Sequence, residues 1–261
     1  MPIATSRLRL KTFRVSRPPL PKFIFLPGMD GSGELLQPQL AGLKSTFDIC
    51  SLSIPPDDLS SWDKLTDQVV DLIVNERQRS PSRPIVLCGE SFGGCLALRV
   101  AAHFPDLCDR LILVNPASSA HRQPWMGWGA TVTQRLPNSL YRLSTLGLLP
   151  LLIAPQRVSM SSQRALLVAM QSVTPPSAAW RLSLLRQFSL EQLPLKRIEQ
   201  PVLLLASGSD RLLPSVAEAG RIARCLPNPQ TVLLPRSGHA CLLETEVRLS
   251  SILQSQNFVL A

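Results

Sequence analysis

The stretch LCGESFGGCLALRVAA, residues 87–102, places one serine between glycines where an apolar run meets an alanine-rich pattern. The apolar run predicts a buried strand, and the alanine-rich pattern predicts a helix that begins at once. Gly89-Glu90-Ser91-Phe92-Gly93 fits the G-x-S-x-G turn that presents a serine nucleophile. The backbone of such a serine is strained, and the two glycines remove side chains that would collide in the turn. We therefore expect the Ser91 hydroxyl to stand above the sheet edge at a helix N-terminus.

A serine hydroxyl needs a base that takes its proton before it can attack a carbonyl. The sequence has three histidines. His103 lies about three turns along the predicted helix and His121 opens an insertion, whereas His239 directly follows the last predicted strand. Asp210 ends an earlier apolar run and is the candidate that orients the imidazole. The order Ser91, Asp210, His239 is that of α/β-hydrolases. A solvated loop histidine and an aspartate that caps the next helix are the alternative interpretations.

The loop FLPGMDGSGE, residues 25–34, follows an early predicted strand and is rich in glycine. We expect Gly28 to let the backbone approach the substrate, and the Met29 N–H to face the oxyanion. The Phe92 N–H at the helix N-terminus is the second expected donor of this oxyanion hole. The glycine spacing does not match G-x-G-x-x-G, so a dinucleotide site is not predicted. An ordinary glycine-rich turn is the alternative.

Short apolar runs alternate with helical patterns along most of the chain, which favours a parallel sheet covered on both faces. One helical pattern spans residues 62–79. We predict an α/β-hydrolase fold, with a mostly parallel central sheet and a helical cap insertion. Its core comprises residues 23–116 and 196–261. The predicted strands lie in residues 23–28, 47–55, 84–91, 110–117, 201–210 and 231–239.

The first 22 residues carry six basic side chains and no acidic one. We treat residues 1–22 as a basic N-terminal segment. Within it RLRLK, residues 7–11, alternates basic and apolar side chains, which predicts a half-buried edge strand. A short organelle-targeting leader is the alternative.

Residues 117–195 interrupt the strand–helix alternation and form the predicted cap. The segment holds seven arginines and only one acid, Glu191. We assign Trp125 and Trp128, with Gly28, to substrate binding, because an apolar cap suits a lipid-like acyl ester. The arginine surplus fits contact with an anionic membrane surface. In the plainer alternative, the apolar stripes of the cap simply pack on the core. No nucleic-acid-binding motif is recognised, so no nucleic-acid partner is expected.

The composition excludes several other classes. The chain has 45% apolar and 17% charged residues, a net charge of +9, and no apolar run long enough to span a membrane. Its six cysteines form no C-x-x-C pair and no cluster with histidine, so no metal and no cofactor is predicted. Free thiols indicate a cytoplasmic protein, with peripheral membrane contact left open.

Four segments together carry a family resemblance over about residues 22–245. FLPGMDGSG, GESFGGCLALRVAAHFPD, LILVNPASS and SGH resemble the hydrolase portion of the phytyl ester synthase family, which are esterase/lipase/thioesterase-type acyltransferases of plastids and cyanobacteria. The resemblance implies a triad of Ser91, Asp210 and His239 and an oxyanion hole of Met29 and Phe92. It also implies acyl transfer to phytol or diacylglycerol, or hydrolysis of lipid esters, and a plastid location if the source is a plant or an alga.

The plant members continue into a second domain marked by a histidine, four residues and an aspartate. None of the three histidines here has an aspartate at that spacing, so we expect hydrolysis. The predicted function is a serine-dependent hydrolase of a lipid-like, long-chain acyl ester that works through an acyl-enzyme. An acyltransferase and a non-catalytic lipid- or partner-binding protein are the alternatives. Glu90, inside the turn, is expected to make a structural hydrogen bond rather than act as a general acid.

Overall fold

The computed structural model describes residues 8–16, 19–123, 133 and 137–259. Its strands form one sheet in the order β1-β3-β2-β4-β5-β6-β7, in which only the β1–β3 pair is antiparallel. This confirms the predicted fold class, and each of the six predicted core strands is present. The strands are β1 (Arg9–Thr12), β2 (Lys22–Leu26), β3 (Asp48–Ser53), β4 (Ile85–Glu90), β5 (Arg110–Val114), β6 (Val202–Ser207) and β7 (Pro229–Leu234).

The central strands are buried on both faces because helices cover both sides of the sheet, as the continuous apolar runs predict. One face packs against α2 (Trp62–Arg79), α3 (Phe92–His103) and α7 (Ser215–Ala223). The other face packs against α1 (Gln37–Leu43) and α8 (Leu249–Ser255). The sheet is therefore the middle of three layers, and its strand ends carry the connecting loops.

Helix α2 has the bounds that the sequence pattern predicts. The Ser61 hydroxyl caps it by accepting a hydrogen bond from the Lys64 N–H at 3.3 Å. Leu65, Val69 and Ile73 recur at the four-residue spacing of one helix face and are buried against the sheet. The amphipathic spacing and the N-cap hydrogen bond of Ser61 together position this helix.

The edge strand expected near the N-terminus is present as β1, two residues further along the chain than its predicted start. It pairs with β3 from Arg9 opposite Ser53 to Thr12 opposite Cys50. Some of the basic residues of this region, Arg9 and Lys11, therefore belong to the edge strand of the sheet. Among the residues that the structure describes, none of the helices combines the length and the apolar character needed to span a bilayer.

Three helices of the predicted cap lie between β5 and β6. They are α4 (Asn138–Leu152), α5 (Met160–Ser172) and α6 (Pro175–Gln187). Two indole hydrogen bonds tie helix α6 to the start of α2 and the loop before it: Trp180 Nε1 donates to Ser60 O at 3.0 Å, and Trp62 Nε1 donates to Leu184 O at 2.8 Å. Trp125 and Trp128, assigned to substrate binding, lie outside the described residues.

We predict opposite stability effects for two glycine-to-alanine substitutions. A Cβ on Gly93 would lie 2.0 Å from the carbonyl oxygen of Leu26, so Gly93→Ala forces α3 away from β2. We expect a loss of about 3 kcal/mol or more in the free energy of unfolding. A Cβ on Gly147 in α4 meets nothing within 4 Å. Gly147→Ala should therefore add about 0.5–1 kcal/mol. Urea denaturation measures both variants, and equal stabilities would contradict the close approach of α3 and β2.

Candidate active site

Ser91 joins β4 to α3 in a backbone conformation that few non-glycine residues adopt, with φ 53° and ψ −112°. Its N–H donates to Val114 O at 3.0 Å, and its carbonyl accepts from Gly94 and Cys95. A Cβ on Gly89 would lie 2.3 Å from Gly93 O, so a side chain does not fit there. The strain is thus held in place by hydrogen bonds on both sides of the serine.

His239 lies between Ser91 and Asp210. Its Nε2 is 2.8 Å from Ser91 Oγ, and its Nδ1 is 2.7 Å from Asp210 Oδ2. Because an ionised carboxylate only accepts hydrogen bonds, Nδ1 carries the proton and Nε2 accepts from the serine hydroxyl. The structure therefore brings the three predicted catalytic side chains into one hydrogen-bonded chain with the polarity that proton transfer from serine requires.

Asp210 is held by the turn that follows β6. Its Oδ1 accepts from the N–H groups of Leu212 and Leu213 at 2.8 and 3.0 Å, and its Oδ2 accepts from the Ser215 hydroxyl. Burial raises the pKa of this carboxyl, but His239 and the hydrogen-bond donors outweigh burial and hold the pKa below its ordinary value. Asp210 thus stays ionised at neutral pH while it also organises the start of α7.

Asn115, which the sequence analysis did not single out, ties the end of β5 to the segment that carries His239. It is fully buried and has φ 42°. Its Nδ2 donates to His239 O at 2.6 Å and to Ser207 Oγ at 2.8 Å, and its Oδ1 accepts from Ser207 N at 2.9 Å. A polar amide at the end of the apolar run in LILVNPASS was the available signal.

Glu244 is a second supporting residue that the sequence did not reveal. Its carboxylate accepts from Gly238 N at 2.8 Å and from Ser237 Oγ at 3.0 Å. The Arg157 Nε of the cap donates to the same carboxylate at 2.8 Å. These bonds fix the two residues before His239 and join them to the cap.

A short 3-10 turn, Cys241–Leu243, follows His239. The Ala240 N–H donates to Leu152 O at the end of α4, and the Thr245 N–H donates to Arg157 O. Backbone groups that a helix would use internally are therefore engaged by the cap. His103 ends α3, and His121 Nδ1 lies 3.1 Å from Ser118 O, so neither is part of the hydrogen-bonded chain around Ser91.

The loop of residues 27–33, here called the Gly28 loop, lies beside Ser91, and a Cβ on Gly28 would be 3.8 Å from Ser91 Cβ. Gly28 O accepts from Gly31 N at 3.1 Å. Because a trans peptide directs its C=O and N–H to opposite sides, this bond turns the Met29 N–H away from the loop interior. Among the hydrogen bonds of the described residues, neither the Met29 nor the Phe92 N–H has a protein acceptor. Both donors are thus available to a ligand.

Glu90 precedes Ser91 and is buried. The expected structural hydrogen bond is absent, since no hydrogen bond of the described residues involves its carboxyl. Burial raises the pKa of Glu90 to about 7; His239 opposes this rise and Asp30 adds to it. Glu90 is therefore a buried titratable group that interacts electrostatically with the His239 imidazole. Among the described residues, no group of three or more His, Cys, Asp or Glu side chains is placed to hold a metal ion.

The mostly parallel sheet, the strained serine after β4, and the acid and histidine that follow β6 and β7 define an α/β-hydrolase. Residues 56–246 match the family model described as serine aminopeptidase, S33, and the chain belongs to that family.

Relatives with known names agree with this class. The chain is 33% identical over 257 residues to phytyl ester synthase 1, chloroplastic, of Arabidopsis thaliana; the match covers 90% of this chain and 36% of that protein. It is 31% identical to the pimeloyl-[acyl-carrier protein] methyl ester esterase of Nitrosomonas europaea, over 71% of this chain and 73% of that protein. The resemblance to phytyl ester synthases is confirmed, although the chain spans only a little over a third of that relative's length.

A solved esterase from Exiguobacterium antarcticum superposes with a TM-score of 0.79 at 15% identity, over 95% of this chain and 94% of that chain. This similarity shows the shared fold. The family match and the names of the relatives support a hydrolase-type enzyme.

We predict that Glu90→Gln changes how stability depends on pH. The pKa of Glu90 rises from 4.5 to about 7 on folding, so the unfolded chain binds fewer protons than the folded protein between these values. The free energy of unfolding of the wild type therefore falls as the pH rises through this window. The glutamine variant lacks this loss, and its advantage over the wild type should grow by about 3 kcal/mol from about pH 4 to about pH 8.5.

Urea denaturation across this pH range measures the effect. Glu199→Gln, a change at an exposed carboxyl, is the matched control. An advantage of the Glu90 variant that is the same at both ends of the range would contradict the raised pKa.

Proposed function

We propose that this protein is a serine-dependent acyl ester hydrolase that acts on a lipid-like, long-chain acyl ester through an acyl-enzyme. The observation that carries the proposal is the chain of contacts from Ser91 Oγ to His239 Nε2 at 2.8 Å and from His239 Nδ1 to Asp210 at 2.7 Å. The ester chemistry in the names of its relatives supports the same reaction class.

In the acylation half, Ser91 Oγ attacks the ester carbonyl carbon while its proton passes to His239 Nε2. The carbonyl π electrons move onto oxygen, and the Met29 and Phe92 N–H groups stabilise that oxyanion. Asp210 holds the imidazole in the required tautomer and stabilises its positive charge. When the carbonyl re-forms, the bond to the leaving alcohol breaks, and the alkoxide takes the proton from Nε2.

In the deacylation half, water binds where the alcohol left and gives a proton to His239 Nε2 as its oxygen attacks the acyl carbon. The second tetrahedral intermediate uses the same two N–H donors. Its collapse breaks the bond to Ser91 Oγ, which recovers the proton from Nε2, and a fatty acid leaves. An alcohol in place of water would give a new ester, and the remaining steps are the same.

The cap supports a substrate with a long apolar chain. Its helices reach the catalytic loops: a Cβ on Gly238, directly before His239, would lie 3.2 Å from Ile153 Cα after α4. Gly28, which faces Ser91, and the cap residues Trp125 and Trp128 are the proposed substrate-binding residues. Apolar surface near the site would gain free energy from each methylene that it buries.

Acyl transfer to phytol or diacylglycerol is the second candidate function, favoured by the 33% identity to a phytyl ester synthase. That relative's name includes the word chloroplastic, and we propose a plastid location for this chain if its source is a plant or an alga. A cytoplasmic location with peripheral contact to an anionic membrane is the alternative proposal.

We expect Ser91→Ala to lower kcat for p-nitrophenyl esters by about 10⁴-fold or more, because no other group replaces the attacking oxygen. The variant should keep the fold and lose all labelling by a fluorophosphonate. Ser119→Ala, which removes a buried serine hydroxyl that has no hydrogen-bond partner among the described residues, is the matched control and should keep both properties. Wild-type protein that binds lipid but neither turns over esters nor takes the label would support a non-catalytic binder instead.

We expect kcat/KM to rise at least about a hundredfold from four-carbon to twelve-carbon acyl chains, since each buried methylene contributes about 0.8 kcal/mol. Assays with p-nitrophenyl esters of graded length measure this. The same reactions with added phytol distinguish the two functions: free acid as the main product supports hydrolysis, and phytyl ester as the main product replaces it with transfer. A preference for the shortest chain would contradict the lipid-like substrate.

A further inference from the structure

Arg181 is a buried charged side chain on α6, in the cap, and only 2% of it is exposed. A buried guanidinium is costly unless its N–H groups find acceptors. Arg181 Nη1 donates to Met29 O at 2.6 Å, and its Nη2 donates to Pro55 O at 2.8 Å. Both acceptors are backbone carbonyls of loops that follow sheet strands, β2 and β3. The cap arginine therefore bridges two loops of the core.

The Gly28 loop is shaped around this guanidinium. Gly31 has φ +69°, and a Cβ on it would lie 2.9 Å from Arg181 Nη1. The Gly31 carbonyl accepts from the Ile54 N–H at 2.8 Å, next to the carbonyl of Pro55 that Arg181 also binds. Because Gly31 has no side chain, the space beside it is open to the Arg181 guanidinium.

The charge of Arg181 is balanced by nearby carboxyl groups. Burial lowers the pKa of Arg181, and Asp30 and Asp58 act against this decrease. The Asp30 carboxylate accepts from Ser32 N at 2.8 Å and from the Ser32 hydroxyl, which adds a hydrogen-bonded turn to the same loop. The guanidinium and the Gly28 loop therefore form one polar unit.

Arg181 and Gly31 together fix both peptide planes that flank the Met29 Cα. The Gly31 N–H holds the Gly28 carbonyl, which belongs to the same peptide as the Met29 N–H. Arg181 holds the Met29 carbonyl, which belongs to the following peptide. With both planes held, Met29 has little freedom to rotate its N–H out of place.

We propose that Arg181 is a positioning residue that holds the Met29 N–H in the orientation that stabilises the oxyanion, and so couples the cap to the catalytic step. This rests on the function proposed above. A backbone donor lowers the barrier most when it needs no reorganisation during the reaction. Lysine would keep the charge but lacks the planar fork that reaches two carbonyls at once.

The test compares Arg181→Met and Arg181→Lys with Arg186→Met, an exposed arginine of the same helix. We expect Arg181→Met to lower kcat for p-nitrophenyl esters by about 100-fold, the effect of losing one oxyanion donor, with KM within about threefold. Affinity for a boronic acid, which forms a tetrahedral adduct on serine, should fall in parallel. Arg181→Lys should be intermediate, and Arg186→Met should match the wild type.

Rates are normalised to the fraction of protein that a fluorophosphonate labels at completion, so partial misfolding does not imitate the effect. If Arg181→Met does not fold, the lysine variant alone decides. Wild-type kcat and boronate affinity in the folded variants, or a loss confined to KM or thermal stability, would overturn the positioning role. Ser91→Ala separates the two proposals: if it is inactive while the Arg181 variants are normal, only the positioning role fails, whereas an active Ser91→Ala removes the proposed function.

Discussion

The site depends on the parallel pairing of β4, β5, β6 and β7, because parallel strands end at the same edge of a sheet. Segments that are distant in the chain therefore leave the sheet side by side. Ser91 follows β4, Asp210 follows β6, and His239 follows β7. Only a few residues separate each of these side chains from the end of its strand, so the three lie close together.

Loops at such an edge carry backbone groups that no strand or helix satisfies, and buried polar side chains supply the missing partners. Asn115 binds the carbonyl of His239, and Glu244 binds the N–H of Gly238. Arg181 binds the carbonyl of Met29. The geometry around Ser91 and His239 thus depends on a polar framework that spans the end of β5, the cap and the loop after β7.

The cap is part of this framework and not only a cover. Arg157 donates to Glu244, which holds the segment before His239, and Arg181 donates to the Gly28 loop. Two of the arginines that make the cap basic therefore point into the protein and support the loops beside Ser91 and His239. This internal use accounts for part of the charge surplus that the sequence analysis related to anionic lipid, and it leaves the exposed arginines for any surface contact.

Sequence alone was sufficient where the physics is local. The collisions that require glycine around Ser91 arise within a few residues and with the adjoining strand, so the pentapeptide and its flanking patterns indicated the turn. Asp210 and His239 could be selected as partners of Ser91 because each follows a short apolar run bounded by turn residues, which is typical of a buried strand. Contacts between segments that are distant in the sequence could not be predicted in this way. Arg181 lies 152 residues from the carbonyl that it binds, and its helical pattern marks it only as a polar residue of the cap. The pKa of Glu90 likewise follows from burial among groups of other strands and loops, which only the folded chain brings together.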